Sequence, residues 1–186
     1  YFVNGDNARA IEQYMRVADT YDYLPEAPEA LWRAGYLYSQ DDQPQQARAV
    51  FERLADAFPN TTQAKDGLFL AASLAYNANE LDAAERYYAE ISVKTTGVDQ
   101  ATGYFWVGRL ALQRGDQRTA VQAFAEAVKA APDSYFAARS ADIIENRMPF
   151  TPPAQYVFQF DDAAEVAEAA AWLRETYGIT HEGSLW

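Results

Sequence analysis

Aromatic rings and one guanidinium recur in this chain at a spacing that would let them act on one ligand. Trp32, Phe69 and Phe105 form one column, and Tyr36, Ser73 and Arg109 form a second. Members of each column stand 37 and then 36 residues apart. Tyr76 lies one helical turn beyond Ser73. Rings with a polar tip, or with a guanidinium nearby, offer contact area at little conformational cost, which suits peptide backbones or sugar faces. The ligand-groove candidates are therefore Trp32, Tyr36, Phe69, Tyr76, Phe105 and Arg109. The competing reading is that Trp32, Phe69 and Phe105 only pack one structural repeat on the next.

Covalent chemistry finds no comparable pattern. Glu26, Glu29, Glu165, Glu168 and Glu175 read as solvated helix faces and not as the carboxylate pair of a glycosidase. The sole histidine, His181, sits in a tail beside glycine, and no Ser/His/Asp set can be assembled around it. The chain has no cysteine, which excludes disulfides and thiolate metal sites, so a metal would need a nearly all-carboxylate shell. Asp41-Asp42 followed by Gln43 is a capping turn, because a calcium loop needs ligands at alternating positions and a closing glutamate. No catalytic residue, metal or cofactor is assigned. The 27 acidic and 15 basic side chains give a net charge of −12, which repels phosphate backbones and anionic lipid. Nucleic acid is excluded as a partner, and no apolar run is long enough to span a bilayer.

The elements that must position these columns are helices. Small residues fall at Ala10, Ala47, Ala84 and Ala120, separated by 37, 37 and 36 residues. Each is followed four residues later by an aromatic, Tyr14, Phe51, Tyr88 or Phe124, and then by Val17, Leu54, Ile91 or Ala127. A second small column, Gly35, Ala72 and Gly108, stands 12 residues ahead of three of these alanines. Such a period means stacked helix pairs, with small residues where backbones cross and aromatics filling the space between neighbouring hairpins. The expected helices cover 7–19, 28–40, 44–58, 62–77, 80–93, 100–114 and 117–131. Turns fall at Asp41-Asp42, Asn79 and Gly115-Asp116. This gives a half repeat over 1–22 and full repeats near 28–60, 62–96 and 100–132. Tyr1 falls where Tyr38 falls one period later, so the sequence reads as a piece that begins inside a repeat.

This grammar resembles the tetratricopeptide repeat, best at Leu31, Gly35, Tyr38, Ala47, Phe51 and Pro59, and again at Tyr104, Gly108, Ala120, Phe124 and Pro132. The middle repeat departs from it, with Ala72 for the glycine, Ala75 for the aromatic and no closing proline. The resemblance implies an all-α, right-handed solenoid of helical hairpins whose first helices line an inner groove, and a protein partner. Co-chaperones of this family hold acidic C-termini with Lys and Asn in that groove. Trp32, Phe69 and Phe105 occupy the equivalent column here, so that clamp is absent.

After Pro132 the pattern changes, and 133–186 is grouped with the repeats as a capping helix, a Pro-rich segment and a terminal helix. Asp133-Ser134 can cap a helix through about Asn146. Three prolines between Met148 and Pro153 exclude a helix there, and Tyr156, Phe158 and Phe160 alternate as in an extended segment. A last helix should run from Asp161 or Asp162 to about Tyr177. The stretch Ser134-Tyr135-Phe136-Ala137-Ala138-Arg139-Ser140-Ala141-Asp142-Ile143-Ile144 is similar to a helix in the non-catalytic superhelical part of soluble lytic transglycosylases. The Pro-rich segment and Trp172-Leu173-Arg174 add to that likeness. It implies an exported bacterial protein that cleaves peptidoglycan with a glutamate in a lysozyme-like domain. The Glu-Ser and Gly-Leu-Met-Gln segments of that domain are absent, so this chain would be the non-catalytic arm. Its partners would be its own catalytic domain, another protein or the wall polymer, in an extracytoplasmic compartment. A free-standing repeat adaptor of envelope assembly is the alternative, which the segment Phe58-Pro59-Asn60-Thr61 also resembles.

Overall fold

The computed structural model describes residues 6–148 and 162–178. The chain divides into two compact units, Tyr1–Pro149 and Phe150–Trp186. The first holds eight helices among its described residues: α1 (Asn7–Thr20), α2 (Ala27–Gln40), α3 (Pro44–Ala57), α4 (Thr62–Asn77), α5 (Leu81–Lys94), α6 (Gly97–Gln113), α7 (Gln117–Ala130) and α8 (Tyr135–Ile144). Each helix packs on the one before it, so the fold is an all-α solenoid of helical hairpins: α2/α3, α4/α5 and α6/α7. The half repeat is α1, the second helix of a hairpin by its place in the period.

Turn chemistry sets the hairpins. Asp42, Asn79 and Gly115 occupy one column and adopt left-handed backbone, with φ of 55°, 58° and 79°. In each case the next amide reaches back to close the helix: Gln43 to the Tyr38 carbonyl, Glu80 to Ala75 and Asp116 to Ala111, all at 2.9 Å. That same residue is the N-cap of the following helix, so each hairpin turn is as short as the two caps allow. Two of the helices that follow a hairpin are capped by side chains: Thr61 Oγ1 accepts from the Ala64 amide, and Ser134 Oγ from the Ala137 amide.

The small columns are where the helices cross. Ala47, Ala84 and Ala120 are fully buried. A Cβ on Gly35 would lie 2.5 Å from the Phe51 ring, and one on Gly108 would lie 2.7 Å from the Phe124 ring. Phe51 and Phe124 therefore seat inside their own hairpins, in addition to the expected place of the aromatics between neighbouring hairpins. Phe51 also reaches the next hairpin, where a Cβ on Gly67 would stand 3.0 Å away.

Helix α8 packs on α7 and α6, within the first unit. It ends two residues short of the expected Asn146, which takes left-handed backbone with φ 51°, and the Arg147 amide closes the helix on the Asp142 carbonyl. The expected extended segment, with Tyr156, Phe158 and Phe160, and the tail with His181 lie outside the described residues. In the second unit, α9 (Asp162–Tyr177) stops at Gly178, whose φ is +64°.

Candidate functional site

The first helices α2, α4 and α6 present the candidate residues, which fall into two groups. On α2, one turn separates Trp32 from Tyr36, and their rings stack at 5.3 Å with a 9° tilt. Tyr14 of α1 completes a small cleft of about 90 Å³ with Trp32, Arg33, Tyr36 and Leu37. Tyr36 is exposed, whereas Trp32 is half-buried against the core. Among the described residues, no protein acceptor reaches the buried Trp32 indole N–H.

The second group forms where α4 and α6 face each other. Trp106 stands at its centre, stacked on Tyr88 at 5.3 Å and meeting Tyr76 edge-on at 5.4 Å. Tyr88 is fixed beneath it by burial and by a hydrogen bond with the Ser73 hydroxyl; burial, the larger cause, holds its phenol above the ordinary tyrosine range. The Arg109 guanidinium lies 5.7 Å from the Trp106 ring centre and 5.9 Å from that of Phe105. Tyr76, Arg109, Leu112 and Gln113 line an open cleft of about 440 Å³.

Trp106 was not among the residues singled out from sequence. It stands where Arg33 and Leu70 stand in the other repeats, so no column marks it. Its signal is the ring-rich run Tyr104-Phe105-Trp106 in a helix whose earlier counterparts carry one aromatic each there, Trp32 and Phe69. Phe105 is a correction. It is only 5% exposed and packs on Phe124, Phe136 and Trp106, so it belongs to the core and offers a ligand no surface. Phe69 is half-buried against the core and lines neither aromatic cleft. Tyr36, Tyr76 and Arg109 remain as exposed or half-exposed groups, in two clefts.

The repeat pattern has its match. The tetratricopeptide repeat family covers residues 1–61 and 69–135. The chain belongs to the tetratricopeptide repeat family. No curated protein matches the chain. As a tetratricopeptide array it is a scaffold for protein interaction, and the family is typically non-catalytic. Among the described residues no helix is long and apolar enough to cross a membrane.

Several ion pairs on this array join one repeat to the next. Arg53 pairs with Asp19 at 2.7 Å and Arg86 with Glu52 at 2.8 Å, each reaching back one repeat. Arg48 forks onto Glu80, whose carboxyl is held below the usual carboxylate range by that hydrogen bond. Lys65 reaches Asp99 at 3.0 Å, and Arg114 holds Glu85 and Asp82. Among the described residues Arg109, like Arg16 and Arg118, has no carboxylate in bridging range, and its guanidinium lies beside two rings.

Proposed function

We propose that the chain is the protein-binding arm of an exported bacterial lytic transglycosylase, with its ligand lying along the face of α2, α4 and α6. Two observations support the binding face: aromatic clefts open on successive first helices, and Arg109 lacks a carboxylate among the described residues. The transglycosylase reading rests on the change from regular hairpins to the short helix α8. That helix carries the Tyr135-Phe136-Ala137-Ala138-Arg139 segment behind a Ser134 cap. In this reading the arm is non-catalytic, works outside the cytoplasm and positions a peptidoglycan-cleaving domain or contacts the wall polymer.

The test is the coding frame around residues 1–186. A lysozyme-like domain with its catalytic glutamate beyond Trp186 is the expected result, and a gene lacking one overturns the transglycosylase reading. The second reading is an adaptor of envelope assembly, favoured by the Pro59-Asn60-Thr61 segment. It lines a cleft of about 330 Å³ with Lys65, Thr95 and Thr96, away from the aromatic groups. A lipoprotein cysteine or coiled-coil segment upstream of Tyr1 would decide for it.

A further inference from the structure

Among the described residues Arg109 has no carboxylate counterpart, in a protein with 27 acidic and 15 basic side chains. Its neighbours three and four residues away on α6 are Phe105, Trp106, Leu112 and Gln113, and none is acidic. The cleft it enters is lined by Tyr76, Leu112 and Gln113, again without an acid. Arg16 also lies in a cleft, but shares it with Glu12 and Asp19. A guanidinium lying beside rings keeps its N–H edge free, and that planar fork matches a carboxylate through two parallel hydrogen bonds.

We propose that Arg109 receives the carboxylate of one Asp or Glu side chain in the middle of a partner's extended segment, an apolar side chain of which seats on the Trp32–Tyr36 stack. This rests on the first-helix face being the binding surface. The face continues on both sides of Arg109, toward α2 in one direction and toward α8, which packs on α6, in the other. A segment lying along it runs past Arg109, so the carboxylate is a side chain and not a chain end. The net charge of −12 repels a segment with several acids, so one acidic residue stands among uncharged or basic ones. Packed helices lie about 8–10 Å apart, and the looser α4–α6 junction widens the second step, which puts α6 about 20 Å or more from α2 across α4. An extended chain covers that span in roughly six residues. The partner's signature is therefore a large apolar residue and a single acid about six positions apart.

The experiment selects random 12-residue peptides, displayed as internal fusions without a free C-terminus, on the whole 186-residue chain. Selected peptides are then made N-acetylated and C-amidated and measured by fluorescence anisotropy on wild type, Arg109→Gln and Tyr36→Ala. Arg109 and Tyr36 are both exposed, so circular dichroism should show unchanged folds. The expected winners carry the spaced apolar–acid pair. Arg109→Gln and Asp→Asn in the peptide should each weaken binding about tenfold or more, with little further loss when combined. Acid-free winners, or winners that bind Arg109→Gln as well as wild type, overturn this inference and leave the binding face standing. Winners indifferent to both Arg109→Gln and Tyr36→Ala overturn the binding face itself.

Discussion

The two junctions between full hairpins are built from the same columns and packed differently. At the first, α2 packs on α4, and the Phe51 ring is wedged between Gly35 and Gly67. Arg86 and Tyr87 of α5 converge on Glu52 of α3, closing the outer side. At the second junction α4 and α6 meet through side chains, Tyr76 edge-on to Trp106 at 5.4 Å and Lys65 on Asp99 at 3.0 Å, with less of the close backbone packing that joins α2 to α4. Helix α6 instead leans on α5 backbone to backbone: a Cβ on Gly103 would lie 2.7 Å from the Ser92 nitrogen and 2.8 Å from the Tyr88 carbonyl oxygen. Ala89, Gln122 and Ala123 stand where Glu52, Arg86 and Tyr87 stand one repeat earlier, so that clasp is missing. The apolar core divides accordingly, with Trp106 packed against both parts. The cleft beside Arg109 therefore follows from a looser repeat junction, in which Tyr76 and Trp106 fill only part of the opening between α4 and α6.

The largest expected effect lies inside a hairpin. Gly108→Leu would drive four carbons into a Phe124 ring that is 1% exposed and has nowhere to move. We expect a loss of about 3 kcal/mol through overpacking, read by urea denaturation. A variant melting with wild type would show that α6 and α7 do not cross at this position.

Next comes a direct contrast of the junctions. Gly67 and Gly103 share a column, but Gly67 faces a side chain and Gly103 a backbone. Gly103→Ala should cost about 2 kcal/mol, because two helix backbones must separate to admit the methyl group. Gly67→Ala should stay within about 1 kcal/mol of wild type, since a few tenths of an ångström of ring movement is offset by the better helix propensity of alanine. Hydrogen exchange should show Gly103→Ala loosening α6–α8 ahead of α1–α5. Equal costs at the two glycines would break the comparison.

Most of the fold was legible because repetition states each requirement several times. Asp42, Asn79 and Gly115 differ chemically, yet all tolerate left-handed backbone, and the turn could be placed from any of them. The site was less legible, for the same reason. Carrying the column Trp32, Phe69, Phe105 forward assumes that every first helix presents the same face. Gly103 breaks that assumption, because α6 settles onto α5 and Phe136 of α8 covers Phe105 at 5.3 Å. Trp106, one residue on, takes the bridging position instead. Arg109 is legible in the sequence, but its lack of a carboxylate partner is not, because Arg48, Arg53, Arg86 and Arg114 find theirs 32 to 34 residues away.

The smallest effect tests the polar clasp that only the first junction has. The Tyr87 hydroxyl donates to Glu52 at 2.6 Å, and its pKa is pushed up to about 12, first by burial and then by that hydrogen bond. Ionising Tyr87 in place would set two negative oxygens against each other in a poorly solvated gap. Below pH 10 the phenol keeps its proton whether folded or not, and the clasp contributes in full. Between about 10 and 12 the unfolded chain loses that proton while the folded one keeps it. Unfolding then releases a proton, and stability falls as pH rises. Tyr87→Phe removes both the bond and the titration. At pH 8 it should be less stable than wild type by about 1 kcal/mol, since Arg86 still satisfies part of Glu52. Raising the pH above about 10 should close that gap within roughly one unit and then reverse it toward 12, because each unit between the unfolded and folded pKa removes about 1.4 kcal/mol from wild type alone. A gap that stays constant across this range would mean that Tyr87 does not clasp Glu52 in solution, leaving the packing of Phe51, Gly67 and Gly103 as the whole difference between the junctions.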